Sequence, residues 1–129
     1  MKHKNGFAPN FIHSLDSSHM MLTSLHLWPR GVTFASVHDC FWTHAADVPA
    51  MNSVCREQFI SLHSSPILES LSKHFLRHHS EGRPPELLPE KMRELAKVNR
   101  KKREMLFANL PNKGNLDLNV IRDSTFFFS

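Results

Sequence analysis

Cysteine is scarce in this chain. Cys40 and Cys55 are the only two among 129 residues, too few for a disulfide framework and suited to a reducing interior. Neither belongs to a Cys-x-x-Cys pair. The ten histidines are scattered, and no His-Glu-x-x-His occurs, so the sequence has no recognisable zinc site. No apolar run approaches the roughly 18 residues of a membrane span, so no membrane partner is expected. The opening Met-Lys-His-Lys-Asn-Gly has neither a signal-peptide core nor the character of a transit peptide. Tyrosine is absent altogether, and no internal repeat is visible.

What is present begins with a short apolar stretch interrupted by a polar pair. Gly31 to Val37 and Cys40 to Thr43 are rich in β-branched and aromatic residues, the pattern of two strands with a tight connection. His38-Asp39 then occupies the connection, where a carboxylate can point out of the sheet into a cleft. From this stretch alone a plain turn former is the simpler reading, because Asp is favoured in turns for local reasons. The strands are apolar on both faces, as expected when both faces are buried. A lone hairpin is marginal, so the chain reads as a piece of a larger fold.

Around the hairpin the chain reads as helical. Gly6, Pro9 and Asn10 predict an irregular entry over residues 1–13. Ser14 then serves as N-cap of a helix with Asp16 in its first turn and Leu15, Ser18, Met21, Leu22, Leu25 and Trp28 on its inner stripe. Pro29-Arg30-Gly31 ends it. Asp47 caps a second helix with Pro49 early in it and Val48, Met51, Cys55, Phe59 and Leu62 inward. Ser64-Ser65-Pro66 opens a third, with Ile67, Leu68, Leu71 and Phe75 inward. His78 to Pro85 reads as a linker. From Pro89 to about Phe107 a poorly amphipathic helix carries the basic run Arg100-Lys101-Lys102-Arg103, either a solvated face or a set of candidate phosphate contacts. The net charge of +4 permits a polyanion partner without requiring one. The phenylalanines Phe126, Phe127 and Phe128 are expected to dock against protein.

Three blocks in order resemble a known family. Phe7-Ala8-Pro9-Asn10-Phe11-Ile12-His13-Ser14-Leu15-Asp16-Ser17-Ser18-His19-Met20-Met21 is the first, and Ser36-Val37-His38-Asp39-Cys40-Phe41-Trp42-Thr43-His44-Ala45-Ala46-Asp47 is the second. Pro111-Asn112-Lys113-Gly114-Asn115-Leu116-Asp117-Leu118 with the closing Ser124-Thr125-Phe126-Phe127-Phe128-Ser129 is the third. Together they resemble the C-terminal end of the single-subunit, bacteriophage-type DNA-directed RNA polymerases, most like the family's animal mitochondrial branch. The likeness weakens between His78 and Phe107, where the basic helix is longer than the family pattern.

The resemblance implies an α+β fold: a mostly helical fragment around one antiparallel hairpin, part of the palm of a right-hand polymerase. It divides the chain into the end of the fingers (1–13), a palm portion carrying the hairpin (14–78), a linker and basic helix (79–110) and a C-terminal foot (111–129). It makes Asp39 a catalytic ligand for two Mg²⁺ ions. His38 is similar to a histidine near the growing RNA end, and His13 to one that approaches the RNA–DNA hybrid from its minor-groove side. DNA template, nascent RNA, NTPs and mitochondrial transcription factors are the implied partners, and the mitochondrion the implied location.

The family's other catalytic aspartate lies in an Asp-Gly-Ser context, absent here. Its nucleotide-binding helix carries a lysine and a tyrosine, and the lack of tyrosine excludes that helix. The polypeptide by itself is therefore expected not to polymerise RNA. Two further readings stay open: a small basic nucleic-acid-binding or assembly module centred on Lys97 to Arg103, and a Cys/His hydrolase built on Cys40 with His38 or His44.

Overall fold

The computed structural model describes residues 2–80 and 87–127. The chain forms two compact units, residues 1–65 with 117–129, and residues 66–116.

The first unit is built on α1 (Lys2–Leu27), a single 26-residue helix. The irregular entry expected over residues 1–13 is thus corrected: Gly6 and Pro9 both lie inside the helix. Local breakers are outweighed here by pairs one turn apart. Phe7 and Phe11 stack across Pro9 with centroids 6.0 Å apart, an i,i+4 contact that favours helix. Ser14 is mid-helix rather than an N-cap, its hydroxyl donating to the Phe11 carbonyl at 2.7 Å. The inner stripe is rotated as well. Thr23 and Leu27 are 0% exposed and His19 4%, whereas Leu25 and Trp28 are 68% and 84% exposed. A spacing of four (19, 23, 27) selects the inward face, and that face includes polar residues which a search for apolar periodicity skips. The helix stops as expected: Gly31 takes the left-handed conformation (φ 69°) and donates to the Trp28 carbonyl, a conformation glycine adopts without Cβ strain.

The chain then forms the expected antiparallel hairpin, β1 (Ala35–Val37) with β2 (Cys40–Trp42), pairing Val37 with Cys40, Ser36 with Phe41 and Ala35 with Trp42. The Thr43 hydroxyl donates to the Thr33 carbonyl at 2.6 Å and closes its open end. Only one face is covered. Ser36 and Phe41 are half-buried, while Val37 and Trp42 are 59% and 51% exposed. The expectation that both faces are buried fails among the described residues, because this unit has one layer of helix to lay against a two-stranded ribbon.

Helix α2 (Val48–Ser64) packs on α1 and buries Val54, Cys55 and Ile60. Asp47 stands at its N-cap position without a side-chain capping bond, and Pro49 sits in its first turn. The C-terminal segment returns to α2 through a 3₁₀ turn at Leu118–Ile121, whose start is capped by Asp117 accepting from the Asn119 N–H at 3.0 Å. Arg122 meets Glu57 with two parallel hydrogen bonds of 2.8 and 3.0 Å, and this pairing holds the Glu57 carboxyl below its ordinary range. Phe127 docks as expected, edge to face on Phe59 at 5.1 Å. Phe126 is 82% exposed, and Phe128 lies outside the described residues.

The second unit pairs α3 (Ile67–Ser80) with α4 (Glu90–Ala108). Phe75 and Phe107 stack with centroids 5.2 Å apart, and the buried Ser72 hydroxyl donates to the Phe107 carbonyl. The first three residues of the expected linker, His78 to Ser80, continue α3, and residues 81–86 lie outside the described residues. The result is the mostly helical α+β chain that the sequence predicts.

Candidate active site

The connection between the strands is two residues long, His38 and Asp39. A connection this short turns a twisted ribbon only with a left-handed residue in it, and His38 supplies it at φ 54°, the one non-glycine residue with positive φ among those described. His is enriched several-fold among non-glycine residues that tolerate this region, yet the conformation remains costly. Strain of this kind concentrates at functional sites. Its effect here is to set two exposed polar side chains on the tip of a rigid mount.

The tip borders an open cleft of about 630 Å³ lined by His13, Asp16, Ser17 and Met20 from α1 and by His38 and Asp39. Three residues singled out from the sequence, His13, His38 and Asp39, therefore share one cleft. Asp39 also borders a smaller recess of about 250 Å³ with Cys40, Trp42 and Met51, so its carboxylate stands on the ridge between two concavities. Asp16, which the sequence suggested only as a first-turn residue, is the cleft's second carboxylate. It lies 3.8 Å from His13 Nδ1. Both groups are exposed, so the pair contributes orientation more than stability. Their three-residue spacing on a helix is the signal that places them together.

Beneath the hairpin lies a support that sequence reasoning missed. His19 Nε2 donates to the Cys55 carbonyl at 2.8 Å; a carbonyl only accepts, so this nitrogen carries the proton. The His19 ring contacts Phe41 of β2 at 6.0 Å and Phe59 of α2 at 5.5 Å, and Phe41 meets Phe34 edge to face at 5.3 Å. Phe59 in turn carries Phe127. A continuous row of rings thus runs from the C-terminal segment to the underside of the strand that follows Asp39.

The cysteines do not supply a nucleophile. Cys40 Sγ lies 3.9 Å from Asp39 Oδ1, a carboxylate in place of the orienting imidazole that a Cys/His hydrolase needs. Cys55 does meet an imidazole, His19, at 3.7 Å. Burial, however, pushes its thiol up to about 11 against the opposing pull of Arg56, so it remains an unreactive thiol at neutral pH.

The basic run is on α4, in the other unit. Arg100 is engaged by Glu104 at 3.0 Å, whereas Lys101, Lys102 and Arg103 are exposed and meet no carboxylate among the described residues.

A model of the DNA-dependent RNA polymerase family matches residues 1–129, the whole chain. The chain belongs to that family. It is 53% identical over 129 residues to the mitochondrial DNA-directed RNA polymerase of Mus musculus, and 53% identical over 128 residues to that of Homo sapiens. It covers 10% of each of those relatives, so the chain spans about a tenth of their length. DNA-directed RNA polymerase 1A of Nicotiana tabacum is 36% identical over 128 residues, with 68% of its length covered.

Proposed function

We propose that this chain is the C-terminal palm and foot portion of a mitochondrial template-directed RNA polymerase, and that Asp39 is one of the carboxylates at its catalytic centre. The observation that carries the reading is the cleft at the hairpin tip. A strained two-residue turn sets His38 and Asp39 opposite His13 and Asp16 of α1, in a chain whose full length matches the polymerase family. The mitochondrial assignment rests on the names of the mouse and human relatives at 53% identity.

The residues present suit Mg²⁺. Mg²⁺ takes one or two protein carboxylates and fills its remaining positions with waters and substrate phosphates, and Asp39 is an exposed hard-oxygen donor in an open cleft. Among the described residues no group of three or more His, Cys, Asp or Glu side chains forms a cage; on this reading Asp39 is one ligand, and waters, substrate phosphates and carboxylates of the larger polymerase are the others. When bound, a pair of such ions stabilises the charge that develops on the attacking and leaving oxygens of nucleotidyl transfer.

The chain's own residues hold the rest in place. Asp39 presents its carboxylate from a backbone fixed by the Val37–Cys40 pair. His38, beside it, faces the growing RNA end, and His13, across the cleft, faces the RNA–DNA hybrid. The row of rings under Phe41 resists depression of the turn. We assign residues 14–78 to the palm and residues 111–129 to the foot that returns to it, with residues 1–13 as the end of the fingers and 79–110 as a basic extension.

The test is a chimera in which this chain replaces the matching 128 residues of the human relative. The chimera should extend an RNA primer on a DNA template with Mg²⁺ and NTPs. Asp39→Asn should lower nucleotide addition by ~10³-fold or more, as expected when several kcal/mol of metal-borne stabilisation is lost, with template binding held within about twofold. Synthesis near the unaltered rate in Asp39→Asn would overturn the assignment.

A further inference from the structure

Helix α4 turns only a narrow strip of its surface to α3. Ala96 and Phe107 are the two residues of the helix that are not exposed, and Phe107 is fixed by its stack on Phe75. At 100° per residue, Met105, Val98, Leu95, Leu106 and Met92 follow one another across an arc of about 140°, with Ala96 and Phe107 just past its Met92 edge. All five are exposed, from 49% at Val98 to 71% at Leu106. Five large apolar side chains on one face form a patch of the kind that marks an interaction surface.

Charge is sorted about the same arc. The helix carries seven Lys or Arg and three Glu in 19 residues. Glu90, Glu94 and Glu104 all fall outside the arc, where Glu94 and Glu104 pair with Lys97 and Arg100 at 2.9 and 3.0 Å. Lys91 and Lys102 stand within it, and Arg103 between Met92 and Ala96 at its edge. These three cations are exposed and meet no carboxylate among the described residues. The face is therefore apolar and cationic with no acid on it, Asn99 being its one uncharged polar residue. Nucleic-acid phosphates would answer the cations and leave the five apolar side chains uncovered. A protein groove would need a carboxylate fixed opposite each lysine in the middle of an apolar contact. An anionic bilayer needs no such match, because headgroups overlie acyl chains everywhere and a lysine stem lying on the apolar layer lets its ammonium reach them. A helix in that interface combines buried apolar area with attraction to anionic lipid. No helix among the described residues is long and apolar enough to cross a membrane, which bears on crossing a bilayer and not on lying upon one.

We propose that α4 is a peripheral docking helix for an anionic lipid surface, with Met92, Leu95 and Leu106 entering the acyl boundary and Lys91, Lys102 and Arg103 at the headgroups. It replaces the expectation of no membrane partner, which was drawn from the lack of a span. It stands apart from the catalytic assignment of Asp39.

Its test sediments the 129-residue chain with vesicles of mixed phosphatidylcholine and phosphatidylserine, and with vesicles of phosphatidylcholine alone. The unaltered chain should bind the anionic vesicles about tenfold or more tightly than the neutral ones. Leu95→Gln/Leu106→Gln keeps every charge and should weaken that binding about tenfold or more. Lys91→Gln/Lys102→Gln/Arg103→Gln should weaken it to a similar degree. Lys97→Gln/Arg100→Gln/Lys101→Gln removes the same charge from the other side of the helix and should cost less than about threefold. Glutamine keeps helix propensity, and circular dichroism checks that α4 survives in each variant. The proposal fails if the chain does not sediment with the anionic vesicles, if Leu95→Gln/Leu106→Gln binds as well as the unaltered chain, or if the two triple variants lose equally. It also fails if a DNA duplex at equal phosphate concentration strips the chain from the vesicles.

Discussion

The Arg56 guanidinium lies 5.4 Å over the Phe127 ring. From there its Nη1 donates to the Ile121 carbonyl and, at 2.7 Å, to the Ser124 carbonyl. One side chain of α2 thus engages the C-terminal segment by two hydrogen bonds and a ring face. Hydrogen bonds to a charged donor contribute about 1.5–3 kcal/mol, and a cation over an aromatic face about 0.5–1 kcal/mol more at a partly exposed site.

Arg56→Ala should therefore lower stability by about 2–3 kcal/mol and release the segment from Asp117 onward. Urea denaturation measures the first effect, and limited proteolysis with faster cleavage after Arg122 the second. Arg56→Lys should recover part of the loss, since both hydrogen bonds leave a single nitrogen that an ammonium can replace, while the planar guanidinium over Phe127 is lost. Unchanged proteolysis in Arg56→Ala would mean that Glu57–Arg122 alone suffices.

Thr23 is fully buried in α1, and its hydroxyl has no hydrogen-bond partner among the described residues. A buried unpaired hydroxyl is costly, and Val is close to its shape without the polar atom. Thr23→Val should raise stability by about 1 kcal/mol, read as a higher urea midpoint at constant slope. A lower midpoint would show that the hydroxyl has a partner after all.

The elements of this fold were far more legible than the faces they bury. The hairpin and its His38-Asp39 tip follow from two short β-rich runs, because a two-residue gap leaves little choice of geometry. The inner face of α1 does not follow, because it passes through His19 and Thr23, and no apolar pattern announces a histidine whose partner is a carbonyl 36 residues away. Pro9 misled for a related reason: a breaker is weighed locally, while the helix around it is held by Phe7 against Phe11. At the site, His13 and Asp39 stood out through a family resemblance, whereas Asp16 needed the helix register to bring it into the same cleft. Arg56 left no mark in the sequence at all, since its acceptors are backbone carbonyls.

Acid should loosen the first unit through His63. Its pKa is lowered below the ordinary 6.5, first by burial and then by the neighbouring His19, with Asp16 pulling the other way. The folded pKa lies below the unfolded one, so as pH falls through 6.5 the unfolded chain takes up the proton first. Stability from this group is complete above that pH and declines below it. The urea midpoint should fall between about pH 7.5 and pH 5.5, and the fall should be smaller in His63→Gln. An identical fall in the variant would assign the acid sensitivity to other histidines.

His38 allows backbone and imidazole to be separated. At φ 54° any residue with a Cβ is strained by roughly 1–2 kcal/mol. Glycine escapes that strain but loses about 0.5–1 kcal/mol more to unfolded-state entropy. His38→Gly should thus fold about as well as the unaltered chain, and His38→Ala should be less stable than His38→Gly by about 1 kcal/mol. In the polymerase chimera the order should not follow stability. If the imidazole acts at the growing RNA end, both variants lose elongation rate to a similar degree although one is well folded. If His38 only bends the turn, His38→Gly should elongate at the unaltered rate. Measuring urea midpoints and single-nucleotide addition on the same two variants decides between a histidine that holds the turn and one that works at the cleft.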